Sequence, residues 1–171
     1  MPIDDEPQFP GEGPAGPGTP DASPRLADKI RRLLTEQLYG ILCTQGQGQP
    51  YGSMVAFAFS ADLSFAVFAT PIATRKYRLL SECHHVALVV DNRPQHADDM
   101  MKVEAVTATG RATEVAPSAE FNEYSRLLVG RHPQLESFVR ASSCALFRIN
   151  VFRFFHVMRF QEVGQWVPIP R

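Results

Sequence analysis

Tyr51-Gly52-Ser53-Met54-Val55-Ala56-Phe57-Ala58-Phe59, then Ser60-Ala61-Asp62, then Leu63-Ser64-Phe65-Ala66-Val67-Phe68-Ala69-Thr70, decides the fold. Two strand-forming runs are separated by three turn residues, a link too short for anything but an antiparallel neighbour. In the first run Tyr51, Ser53, Val55, Phe57 and Phe59 alternate with Gly52, Met54, Ala56 and Ala58, giving one bulky face and one nearly flat one. A flat face suits the close approach of a planar ligand or tight packing beneath a helix, and this strand alone does not choose between them.

Upstream, Ile41 to Thr44 reads as a further strand and Gln45 to Pro50 as the turn into the next, so three strands form a meander. Before them, Leu26, Ile30, Leu33, Leu34 and Leu38 recur every three or four residues, with Asp28, Lys29, Arg31, Arg32 and Glu36 on the other face. That spacing predicts an amphipathic helix from Pro24, stopped by Gly40. Residues 1–23 are rich in Pro and Gly, with Ile3 and Phe9 their main apolar groups. Such a segment cannot repay the entropy of ordering and is expected to be a disordered tail, with a partner-binding arm as the sharper alternative. One domain is expected over residues 24–171.

Downstream, a helix is predicted from Thr74 to about Cys83, with Tyr77, Leu79 and Leu80 facing inward, and a strand over Val86 to Asp91 ended by Asn92-Arg93-Pro94. Lys102 to Val115 alternates, with Val103, Ala105, Thr107, Thr109 and Arg111 on one side, and Gly110 marks a bulge or bend. Ser118 is placed to cap a helix through Phe121, Tyr124, Leu127 and Leu128, and His132-Pro133 separates it from a short helix around Leu135, Phe138 and Val139. Cys144 to Arg159 supplies one or two Phe-rich strands. The expected architecture is mainly β with peripheral helices, a six- to seven-stranded antiparallel barrel. Regular strand-helix alternation and Gly-rich nucleotide motifs are both missing, which argues against a doubly wound fold.

The helix start carries a conflict. Arg75 and Lys76 stand where unpaired N–H groups already give partial positive charge, so an anion is needed to make them favourable. Backbone N–H groups, the Thr74 hydroxyl and two cations would together make a phosphate socket. Arg78 fits a solvated face or the socket.

The 171 residues carry a net charge of -1 and are 44% hydrophobic, without the basic surplus of a general nucleic-acid or membrane-surface binder. No apolar run approaches the ~20 residues of a bilayer span and no secretory signal is apparent, so a cytoplasmic protein is expected. Cys43, Cys83 and Cys144 fit neither a disulfide framework nor a zinc site and are expected to be reduced, mostly buried thiols. No metal site is expected at Cys83-His84-His85, whose consecutive side chains diverge. No hydrolytic triad can be assembled from spacing.

Gly48-Gln49-Pro50-Tyr51-Gly52-Ser53-Met54-Val55, Phe68-Ala69-Thr70 with Ala73-Thr74-Arg75-Lys76, Val86 to Arg93, and Ala105 to Ala112 together resemble the pyridoxamine 5'-phosphate oxidase-like group of FMN-binding split-barrel proteins. The resemblance implies that Ser53, Met54, Val55 and Ala56 line the isoalloxazine ring and that Thr74, Arg75 and Lys76 hold the FMN phosphate. Ala69 and Thr70 would stand where the strand meets the ligand. It also implies a homodimer with FMN at the interface, where Asn92, Thr107 or Trp166 would reach the partner's flavin. Residues 161–171 do not reproduce the Arg-rich C-terminal motif of true pyridoxamine phosphate oxidases, so the vitamin substrate is not implied. The expected activity is flavin-dependent oxidoreduction of a small molecule, with Ser53, Thr70 and Thr107 tuning the ring. The alternatives are a non-catalytic FMN carrier or sensor, and haem binding or breakdown with His156 or His85 as ligand. For His156 a satisfied core histidine is the competing reading. Trp166 would stack on the flavin or cover the barrel end.

Overall fold

The computed structural model describes residues 24–159 and 162–169, so the expected tail over residues 1–23 lies outside the described residues. The chain runs α1 (Pro24–Glu36), β1 (Tyr39–Gly46), β2 (Gln49–Phe59), β3 (Phe65–Pro71), α2 (Arg75–Glu82) and β4 (His85–Asp91). It continues with β5 (Glu104–Glu114), α3 (Ala119–Arg131), α4 (Glu136–Arg140), β6 (Cys144–Met158) and β7 (Glu162–Trp166). The strands form one antiparallel sheet ordered β3-β2-β1-β4-β5-β6-β7, and β3 also pairs with β6. That second pairing closes six strands into a barrel and leaves β7 as an addition. β6 therefore changes partner along its length: Cys144 to Asn150 pair with β3, and Phe154 to Met158 pair with β7.

Alternation sets the inside. Leu42, Val55, Phe57, Phe68, Leu88, Val106, Ile149 and Phe154 are buried in one core, which α1 joins through Ile30, Leu33 and Leu34. A second cluster lies on the outer surface of the barrel, where Ala58, Val67 and Leu146 pack with Leu128 of α3 and Val139 of α4. The flat face of β2 is thus divided. Ala58 is buried in that second cluster, whereas Gly52 and Met54 at the other end are exposed, Met54 at 68%.

Two expectations change. The helix predicted to reach Gly40 ends at Glu36, which leaves Leu38 46% exposed. Gly40 instead lies within β1, where a Cβ would stand 2.9 Å from Val89 O, so its bareness serves the approach of β4. The three cysteines are free but half-buried, Cys43 within β1, Cys83 at the end of α2 and Cys144 at the start of β6. Gly110 does mark a bulge. Thr109 pairs with Arg153 and Gly110 with Val151, so Phe152 is the extra residue, and a Cβ on Gly110 would lie 2.3 Å from Asn150 O.

His132-Pro133, read as a separator, also acts as a tether. Arg131 Nη2 donates to the carbonyls of Leu34, Thr35 and Gln37, satisfying the exposed end of α1 and placing a cation at its negative pole. The buried His132 ring meets Phe57 O at 3.0 Å.

A polar cluster fastens α1 from the other side. Arg32 binds both Glu104 oxygens at 3.0 Å, and His156, 1% exposed, approaches Oε2 at 3.2 Å. Burial pushes the Glu104 carboxyl up, but the His156 and Arg32 hydrogen bonds outweigh it and hold the group below the ordinary glutamate range. A lowered folded pKa means stability present at neutral pH and lost as pH falls through the glutamate range. Glu104→Gln is expected to be less stable than wild type at neutral pH, with the gap closing in acid. Urea denaturation across pH checks this, and a gap independent of pH would contradict it.

Candidate functional site

Pro71 ends β3 and cannot continue a ladder, so the chain turns through Ile72 and Ala73 into α2. Thr74 is the N-cap, extended at φ -89° and ψ 154°, and its Oγ1 accepts from Tyr77 N at 3.2 Å. The same hydroxyl donates to Pro71 O at 2.8 Å and lies 3.1 Å from the hydroxyl of Thr70. Its single proton is committed to Pro71, so Thr70 is the donor in that pair. Thr74, expected to hold phosphate, stands at the helix start, where its hydroxyl donates to Pro71 O and shapes the turn.

The donors left at this end are backbone groups. None of the hydrogen bonds among the described residues uses the N–H of Arg75 or of Lys76. Arg75 is exposed, with its guanidinium 5.4 Å from the Tyr51 ring centre. Lys76 is half-buried and its Nζ reaches Met54 O at 3.4 Å, while burial pulls its pKa below the usual lysine value. Two cations and two free N–H groups therefore meet at one helix end, and neither cation is in a salt bridge among the described residues.

β2 is open beside them. Its pairing with β3 covers Phe57 to Phe59, whereas Ser53 to Ala56 pair with β1 on one side only. The Lys76 contact shows that the Met54 carbonyl points to the open side, and strand geometry turns the Ala56 N–H and C=O the same way. Ser53 Oγ is buried and has no hydrogen-bond partner. An open strand edge, an orphaned hydroxyl and a cationic helix start fit a flat, polar-edged ring carrying a phosphate.

The structure brings together Ser53, Met54, Val55, Ala56, Ala69, Thr70, Thr74, Arg75 and Lys76, all on β2, β3 and the start of α2. It places three other expected residues elsewhere in the protomer. Thr107 shares a row across the outer sheet with Met54, Ile41 and Val89, three strand spacings or about 14 Å from Met54. Asn92 is buried, with Oδ1 accepting from Glu104 N at 2.7 Å and its own N–H donating to Glu104 O, so it fastens the β4–β5 loop. Trp166 packs on Phe154 at 5.6 Å between ring centres, covering the barrel end. His156 is the satisfied core histidine, held by Glu104. Sequence reasoning passed over Tyr51 as a contact for Arg75, although the helix start and the strand start were both in view.

A family model described as pyridoxamine 5'-phosphate oxidase matches residues 26–157. Among solved structures, the heme binding protein from Mycobacterium smegmatis superposes with TM-score 0.75 at 16% identity, over 85% of this chain and 59% of that one. This chain thus spans about three fifths of that protein's length. HutZ, a heme storage protein from Vibrio cholerae, gives TM-score 0.65 at 18% identity, over 84% of this chain and 94% of its own. A FAD-binding protein from Mesorhizobium loti gives 0.62 at 16%, over 76% and 92%. No curated protein matches the sequence.

Proposed function

This chain belongs to the pyridoxamine 5'-phosphate oxidase family, and from that premise we propose that it is a flavoprotein that holds FMN at the start of α2 and along β2. The observation that carries the reading is Lys76, which bridges the helix start to the Met54 carbonyl and so ties phosphate clamp and ring platform into one surface. When bound, the flavin supplies hydride and electron transfer. The chain's own residues bind and orient it: Arg75, Lys76 and their free N–H groups take the phosphate, and the Met54 and Ala56 edge faces the ring. The Ser53 hydroxyl is available to the ring's polar rim, and the Thr70–Thr74 pair fixes the turn. The reaction is oxidoreduction of a small acceptor.

The working unit is a homodimer with flavin between subunits. Tyr39 at 50%, Ile41 at 37% and Met54 at 68% exposure form, with Val89, Thr107 and Phe155, an apolar outer sheet face of the kind that a partner covers. Thr107 lies on that face, which gives it a route to the partner's flavin. No described helix is long and apolar enough to cross a membrane, and a cytoplasmic site of action is part of the proposal.

Haem is the competing occupant, since two of the similar structures are named for it. The purified full-length protein is expected to carry a flavin spectrum and to release a flavin nucleotide on denaturation, and to scatter light as a dimer. A Soret band without flavin, or a flavin-loaded monomer, would overturn the corresponding part of the reading.

A further inference from the structure

A cleft of about 560 Å³ continues from the clamp along the outer face of α2 to the β1–β2 hairpin, lined among others by Tyr51, Arg75, Arg78, Gln47, Gln49 and Glu82. Its volume is in the range of a small-molecule site. Arg75, Arg78 and Glu82 stand at helical spacings of three and seven, so one face of α2 carries all three. From Arg75 to Glu82 the helix advances about 10 Å. Neither Arg78 nor Glu82 forms a salt bridge among the described residues, although a spacing of four would allow them to pair with each other. Gly46, at the hairpin end, is so close to α2 that a Cβ there would meet Glu82 Oε2 at 2.7 Å and Leu79 at 2.5 Å, so the far wall approaches the helix closely.

The cleft is polar in an ordered way. Cations stand at the end that adjoins the clamp, an aromatic ring lies beneath Arg75, and carboxamides with one carboxylate stand at the far end. We infer that this cleft is a second subsite for the ligand's extension, taking a second phosphate at Arg78 and a sugar hydroxyl edge at Gln47, Gln49 and Glu82, so that the preferred ligand is a flavin joined through a pyrophosphate to a nucleoside. The inference rests on the flavin reading above. A guanidinium suits the second phosphate because its planar fork matches two oxygens, and a carboxylate suits ribose hydroxyls because it accepts from both.

The test is calorimetric titration of flavin-stripped, full-length protein with FMN and with FAD, for wild type and Arg78→Ala. Arg78 is exposed and outside the core, so its removal leaves the fold intact. FAD is expected to bind wild type about tenfold or more tightly than FMN, the worth of one charge-assisted contact. Arg78→Ala is expected to lose that margin while FMN affinity stays within about twofold. Equal affinity for the two flavins in wild type, or equal weakening of both by Arg78→Ala, overturns the second subsite and leaves the flavin reading standing. Binding of neither flavin overturns both.

Discussion

Replacing Arg75 and Lys76 together by alanine is expected to strip flavin from a protein that remains folded. Each cation would make a charge-assisted hydrogen bond to phosphate worth about 1.5 to 3 kcal/mol, so the pair amounts to about 3 to 6 kcal/mol, or roughly 10² to 10⁴ in Kd. The apoprotein should not suffer. Arg75 is exposed, Lys76 is half-buried with one long contact to Met54 O, and neither is among the core residues. Two cations at the positive end of α2 are mildly unfavourable without an anion, so the apo double variant should melt at or slightly above the wild-type temperature. Loss of affinity with preserved apo stability separates a ligand clamp from a structural pair. Wild-type flavin affinity in the double variant would refute the clamp.

The second large effect concerns the barrel end. Phe154 is fully buried, with ring centres 5.8 Å from Phe59 and 5.6 Å from Trp166. Phe154→Ala is expected to cost about 3 to 5 kcal/mol, combining lost burial with the cavity left beneath β7. Trp166 is the chain's single tryptophan, so its emission reports the same event independently. A lower urea midpoint together with red-shifted emission is expected. Destabilisation without a spectral change would show that β7 does not depend on this contact.

The strands were legible because their alternation is a direct print of inside and outside: Val55 and Phe57 point in, Gly52 and Met54 point out. The helix start was legible for an electrostatic reason, since Arg75 and Lys76 are misplaced without an anion. Leu38 misled because it continues a helical spacing past the end of the helix, and local periodicity carries no record of where a neighbouring strand requires Gly40. Thr74 was read as a phosphate ligand from its place at the helix start and from the resemblance, whereas its hydrogen bond to Pro71 O was not legible, because the folded turn creates that partner. Asn92 and Trp166 were expected to reach the partner's flavin from resemblance alone. Their contacts with Glu104 and Phe154 join positions distant in sequence, and no local pattern announces such pairings. The cleft along α2 falls between these cases: the spacing of Arg75, Arg78 and Glu82 was visible, but the hairpin wall opposite was not.

The change of partner within β6 has a consequence for how the molecule is made. Phe65 cannot find Asn150, nor Pro71 find Cys144, until α3, α4 and the first half of β6 have been synthesised. Until then β3 has β2 as its only neighbour in the sheet, paired over three residues, and the strand edge that will seal the barrel is bare. Closure is therefore a late, long-range step, of the kind that slows folding relative to the local hairpin of β1 and β2. During translation the nascent chain would present an open half-barrel with its aggregation-prone edge exposed, and the same fifteen-residue strand that ends this exposure also carries β7 into place.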